Sequence, residues 1–281
     1  MVMHQTSSTS HLEVGRLRLH YVEQGAGEPL LLLHGLGGST VFWADVIPLL
    51  AARFRVLAPD LPGHGLSDKP DAPYDLAYGR SFVPRLMDAL GLPAAHVVGH
   101  STGGLLGMVL ARDHPERVST LTLVDSAGLG SGLHWTLRLA SLPLFDRMLV
   151  RDTRFGMRLH LGTLFFDKRF AEGELLERLA EQRRLPGATR TIRRALRCAV
   201  SPAGQRPAID QRPYLAAIRS PVLIVWGEQD ALIPAAHARE AKRLRPEARL
   251  TLFPRCGHCP NVEYPQEFAR VVTEFIQEVS S

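Results

Sequence analysis

The chain has 281 residues, 45% hydrophobic and 22% charged, which is enough length and the usual balance for a globular protein with a full core. No apolar run approaches the ~18 residues that span a bilayer. The polar start MVMHQTSSTSHLEV shows no basic stretch followed by an apolar one, so the expectation is a cytoplasmic protein without stable membrane insertion. Three cysteines are too few for a disulfide framework, and the net charge of +5 is concentrated in one segment rather than laid out as a nucleic-acid surface.

Two strand patterns open the chain, Leu12–Val14 and Leu17–Val22, followed by the continuous apolar run Pro29–Leu33 expected of a strand buried on both faces. A helix is predicted from Phe42, Val46, Leu49 and Leu50. Next come a strand at Arg55–Ala58, the Gly- and Pro-rich loop PDLPGHGLSD, and a helix near Tyr78–Leu90. Ala95–Val98 reads as a strand, Thr102–Asp113 as a helix and Val118–Val124 as a strand. Such alternation means βαβ units and a parallel sheet.

The alternation stops between residues 128 and 215, where helical patterns broken by Pro143, Pro186-Gly187 and Pro202 contain no strand-like run. This segment holds 15 Arg and one Lys against eight acidic residues, more than the whole-chain excess. With no lysine-dense or aromatic-interleaved tract, it reads as a solvated basic face, leaving attraction of anionic substrates or surfaces as the lesser alternative. Strands and helices resume at Val222–Trp226, Ala235–Leu244, Leu250–Phe253 and Gln266–Val279. The organisation is thus a sheet domain made of residues 1–127 and 216–281, with residues 128–215 inserted between its sixth and seventh strands.

Gly99-His100-Ser101-Thr102-Gly103-Gly104 lies between a strand and a helix, where a sharp turn exposes a serine hydroxyl at the C-terminal edge of the sheet. The bare G-x-S-x-G pattern is weak; its placement gives it force. A serine needs a base. Of twelve histidines, His258 lies in the loop after the last strand and therefore at the same edge, with His34 and His100 as rivals. The base needs an acid. Asp230 follows the strand Val222–Trp226, with Glu228 and Asp125 as competitors at that edge. The loop His34-Gly35-Leu36-Gly37-Gly38 lets the backbone approach a bound carbonyl, so the backbone N–H groups of Leu36 and Thr102 are the expected oxyanion donors. His34, Gly35, Gly37, His100, Trp135, Ile233 and Val262 are candidates for the substrate pocket. Cys256 and Cys259 flank His258 as C-x-x-C; a redox or metal role would need further ligands, so coincidence is the preferred reading and their pairing stays open.

The motifs HGLGGS (34–39), DLPGHGLSD (60–68), GHSTGG (99–104), WGEQDALIP (226–234) and CGHCPNVEYP (256–265) together resemble the α/β-hydrolase superfamily from about Leu17 to Val279. The resemblance implies an eight-stranded, mostly parallel sheet flanked by helices. It further implies a Ser101–Asp230–His258 triad and, at 128–215, a helical cap over the site. Residues such as Leu133, Trp135, Phe145, Phe165 and Phe166 would line a pocket there or pack on one another. Ser101 stands where haloalkane dehalogenases and epoxide hydrolases carry aspartate, which argues against both. His100 and Cys259 depart from the Asn and Trp that meta-cleavage-product hydrolases tend to have, which weakens that C–C hydrolase reading and favours a carboxylesterase or lipase-like enzyme acting on a small-molecule ester. A non-catalytic receptor on the same fold is the rival from another class. Neither metal nor organic cofactor is implied, and the oligomeric state is not encoded in any recognisable pattern.

Overall fold

The computed structural model describes residues 8–150 and 153–280; the first half of the polar N-terminal stretch, His4 included, lies outside these. In chain order the elements begin with β1 (Ser8–Val14), β2 (Leu17–Gln24), β3 (Pro29–Leu33), α1 (Ile47–Leu50), β4 (Arg55–Pro59), α2 (Leu76–Ala89), β5 (Ala95–His100), α3 (Thr102–Asp113) and β6 (Val118–Val124). The segment that follows contains α4 (Trp135–Ala140), α5 (Pro143–Leu149), α6 (Arg154–Leu164), α7 (Gly173–Arg184), α8 (Ala188–Ala199) and a hairpin of β7 (Val200–Ser201) and β8 (Gly204–Gln205). The chain closes with β9 (Val222–Gly227), α9 (Ala236–Leu244), β10 (Arg249–Phe253), α10 (Pro260–Glu263) and α11 (Pro265–Ser280).

Eight strands form one sheet in the order β1-β2-β4-β3-β5-β6-β9-β10. β1–β2 and β2–β4 pair antiparallel, and every other neighbour pairs parallel. The strand order reverses at β3, which lies between β4 and β5, so the loops leaving β3 and β5 diverge and open a crevice at the carboxyl ends.

The run at 29–33 is apolar throughout because both faces of the sheet are covered. Leu31 and Leu33 join the cluster on one face with Phe82 and Leu86 of α2, while Leu30 and Leu32 join the other with Phe268, Val272 and Phe275 of α11. Period-2 alternation is therefore present but carries no polar residue to reveal it.

Two expectations need correction. The single helix through Phe42–Leu50 is instead a 3₁₀ turn, Thr40–Trp43, followed by the one-turn α1. Pro48 is tolerated only in the first turn of a helix, so α1 starts at Ile47 and leaves Leu49 exposed. Segment 128–215 also contains the β7–β8 hairpin, whose two-residue strands are too short to show a period. Among the described residues no helix is long and apolar enough to cross a membrane.

Leu32→Ala, at a fully buried position, should cost about 2–5 kcal/mol in chemical denaturation. Gly162→Ala, inside α6 with open space around a new Cβ, should instead add about 0.4–1 kcal/mol.

Candidate active site

Between β5 and α3 the backbone at Ser101 takes φ 53° and ψ −113°, outside the regions favoured by L-residues. The turn closes because its flanking positions lack side chains. A Cβ at Gly103 would fall 2.0 Å from the Leu33 carbonyl oxygen, one at Gly99 2.4 Å from that of Gly103, and one at Gly104 2.4 Å from Ser126 Oγ. Backbone hydrogen bonds fix the serine: its N–H donates to Val124 O at 2.8 Å, and its carbonyl accepts from Leu105 N–H and Ala127 N–H. The hydroxyl makes no capping bond to α3, so capping does not explain this serine.

His258 follows β10, and Asp230 follows β9. His258 Nδ1 lies 2.7 Å from Asp230 Oδ2, with both side chains buried. Asp230 Oδ1 accepts from the backbone N–H groups of Leu232 (2.7 Å) and Ile233 (3.0 Å), so the carboxylate is held at both oxygens. An ionised carboxylate only accepts, so Nδ1 carries the proton and Nε2 is left with the lone pair. The two loops touch through glycines: a Cβ at Gly227 would fall 1.8 Å from Gly257 O. His258 N–H donates to Leu164 O at 2.5 Å, tying the histidine to the end of α6.

Ser101, His258, Leu36 and Thr102 all line one cavity that is partly open to solvent. Gly35, Gly37, His100 and Ile233 line it as well. His34, Trp135 and Val262 do not. Both His34 ring nitrogens are committed to backbone, Nδ1 donating to Gly35 O (2.8 Å) and Nε2 accepting from Leu61 N–H (2.9 Å). Trp135 is 61% exposed on the outside of α4, and Val262 packs into the core from α10. Of the apolar residues singled out in segment 128–215, Leu133 lines the cavity, whereas Phe145, Phe165 and Phe166 do not; Leu137, Met157 and Leu161 supply the wall instead.

The other two candidate histidines are engaged differently. His100 Nε2 donates to His258 O at 2.8 Å, and burial, reinforced by His258, lowers its pKa to about 3. Burial likewise lowers the pKa of His34. Of the rival acids, Glu228 is exposed and pairs with Arg239 at 3.9 Å. Asp125 is buried beside Asp230, but its Oδ1 accepts from Gly227 N–H at 3.0 Å. Cys256 and Cys259 are free, buried thiols, and burial pushes the pKa of each upward.

Three neighbours escaped sequence reasoning. Arg183, 8% exposed on α7, lines the cavity beside Gly37, where an added Cβ would meet its Nη2 at 3.0 Å. Its signal was present: it continues the buried stripe Leu176, Leu179 and Ala180, so this arginine sits on an apolar helix face. His160 of α6 also lines the cavity, and its desolvated surroundings, then Arg183, lower its pKa to about 4. Glu263 accepts from Gly257 N–H (2.7 Å), Phe166 N–H and Asp167 N–H (both 2.9 Å), clamping the histidine loop to the segment after α6. No local pattern marks it.

Residues 28–265 match the family described as alpha/beta hydrolase fold, and the chain belongs to that family. It is 34% identical over 268 residues to the dihydrolipoyllysine-residue acetyltransferase component of the acetoin cleaving system of Pseudomonas putida, covering 95% of this chain and 68% of that one. It is 31% identical over 271 residues to the 2-hydroxy-6-oxo-6-phenylhexa-2,4-dienoate hydrolase of Burkholderia cepacia, covering 94% and 92%. Among solved structures, a membrane phospholipase A described as a bacterial virulence factor superposes with a TM-score of 0.80 at 27% identity, over 98% of this chain and 87% of that one.

Gly103→Ala should prevent the turn from closing. We expect it to yield a chain with a clearly lowered thermal midpoint, read by differential scanning fluorimetry against Gly162→Ala.

Proposed function

We propose that this chain is a serine hydrolase that cleaves carboxylic esters through an acyl-enzyme on Ser101. The observation that carries the reading is the bond from His258 Nδ1 to Asp230, which leaves a basic Nε2 on a residue lining the same cavity as Ser101. In this reading His258 takes the Ser101 proton as the hydroxyl oxygen attacks the ester carbonyl. The backbone N–H groups of Leu36 and Thr102 receive the oxyanion, the second aided by the N-terminus of α3. His258 then protonates the leaving alcohol and activates the water that releases the acid. Segment 128–215 acts as a cap whose leucines and methionine give the acyl group an apolar wall.

A second reading is hydrolysis of a C–C bond in a meta-cleavage product. The Burkholderia cepacia relative is named for a dienoate, a carboxylate, and Arg183 brings a guanidinium, a group that binds carboxylates, to the wall of the cavity. The phospholipase neighbour favours the ester reading.

Turnover of p-nitrophenyl esters from C2 to C16 should be compared with turnover of 2-hydroxy-6-oxo-6-phenylhexa-2,4-dienoate. Ester turnover that falls roughly 10⁴–10⁶-fold in Ser101→Ala supports the proposal. Exclusive turnover of the dienoate, lost in Arg183→Leu through a raised KM, would replace it with the second reading. Binding without turnover of either substrate class would point to the receptor.

A further inference from the structure

The Asp230 carboxylate does not stand alone behind His258. Asp125 leaves the end of β6 at φ 42°, in left-handed backbone that Asp and Asn tolerate better than most residues. Its side chain is fully buried, and oxygens of Asp125 and Asp230 and a ring nitrogen of His258 all lie within 4.8 Å of one another. Asp125 Oδ1 takes the Gly227 N–H, while Oδ2 is buried with no other hydrogen-bond partner in the structure. Two ionised carboxylates this close in a dry site repel, and the unpartnered oxygen has room for only one remedy, a proton.

We propose that Asp125 is a positioning residue, a neutral carboxylic acid whose Oδ2–H donates to the Asp230 carboxylate and so holds the single negative charge of the pair on Asp230, against His258. This rests on the reading of Asp230 as the acid that orients His258. The surroundings agree. Burial raises the Asp125 pKa well above the ordinary carboxylate range, and Asp230 and then Glu263 push in the same direction, against the Gly227 N–H. The other groups facing it, the thiols of Cys256 and Cys259, have their pKa values pushed upward first of all by burial. The arrangement explains why a carboxyl, rather than an apolar side chain, occupies the floor of the site: Gly227 needs an acceptor and Asp230 needs a donor, and one protonated carboxyl supplies both.

Asp125→Asn keeps the acceptor for Gly227 and the donor for Asp230, whereas Asp125→Ala keeps neither. With a p-nitrophenyl ester as substrate, Asp125→Asn should lose only several-fold in kcat and leave the acid limb of the pH profile of kcat/KM in place. Asp125→Ala should lose on the order of 100-fold in kcat with little change in KM. A second measurement does not depend on catalysis. A carboxyl protonated in the folded chain and ionised in the unfolded one releases a proton on unfolding, so its contribution to stability falls as pH rises. The Tm of wild type minus that of Asp125→Asn should therefore decrease steadily from about pH 5 to about pH 8. Infrared difference spectra at neutral pH should also show a protonated-carboxyl carbonyl band that Asp125→Asn lacks. A Tm difference independent of pH with no such band, or an acid limb displaced downward in Asp125→Asn, would show Asp125 to be ionised and overturn the proposal. If Asp125→Asn loses ~10⁴-fold while Asp230→Asn does not, Asp125 is itself the orienting acid, and both readings fall. Ester turnover that survives Ser101→Ala overturns the serine mechanism alone and leaves the linkage test standing.

Discussion

The site depends on a backbone conformation that a serine does not adopt willingly. At φ 53° and ψ −113°, Ser101 is held between a strand that ends at His100 and a helix that starts at Thr102. The turn survives because Gly99, Gly103 and Gly104 let backbone pass within distances that no Cβ permits. Strain of this kind costs on the order of 1–3 kcal/mol and persists only where its surroundings over-determine it. Here they do: β5 sits between β3 and β6 in the middle of the sheet, with its apolar residues fully buried. The reward is positional, since the hydroxyl is lifted out of the hydrogen-bonding pattern of both elements and lines the cavity.

Around that serine the fold disposes of charge economically. Four histidines lie near the crevice besides His258, and burial lowers the pKa of each: that of His34 below its ordinary value, those of His64 and His100 to about 3 and that of His160 to about 4. Among the described residues lining the cavity, Arg183, beside the Gly37 turn, is the one arginine or lysine. In the mechanism proposed for Ser101, His258 is the cavity histidine held against a carboxylate, and Arg183 places a guanidinium in the same cavity wall.

Most of the fold was legible because strands and helices alternate in length and period. β3, α3 and β6 match their predicted bounds to the residue, since each is bracketed by Gly, Pro or a charged end. The helix expected at Phe42–Leu50 failed for a specific reason: its apolar spacing was real, but Pro48 starts a new turn rather than continuing an old one. That Ser101, Asp230 and His258 come together could be read because parallel strands deliver their C-terminal loops to one edge, an argument that needs no side-chain geometry. Trp135, Val262 and His34 were misplaced as pocket residues because edge and proximity do not give side-chain direction: α4 turns Trp135 outward, and His34 turns back to its own loop. Glu263 was invisible for the opposite reason: Phe166 and Asp167, whose backbone it holds, are 97 and 96 residues away in sequence, and no local pattern records such a contact, whereas Arg183 was marked by its place on an apolar helix face and went unread.

The most direct test is chemical rather than kinetic. The chain should be treated with a p-nitrophenyl alkylphosphonate, which forms a stable tetrahedral adduct on an activated serine, and then digested and examined by mass spectrometry. The account predicts stoichiometric labelling at Ser101, with labelling slowed strongly in Asp230→Asn and absent after unfolding. An unlabelled protein, or an adduct on any other residue, would contradict it.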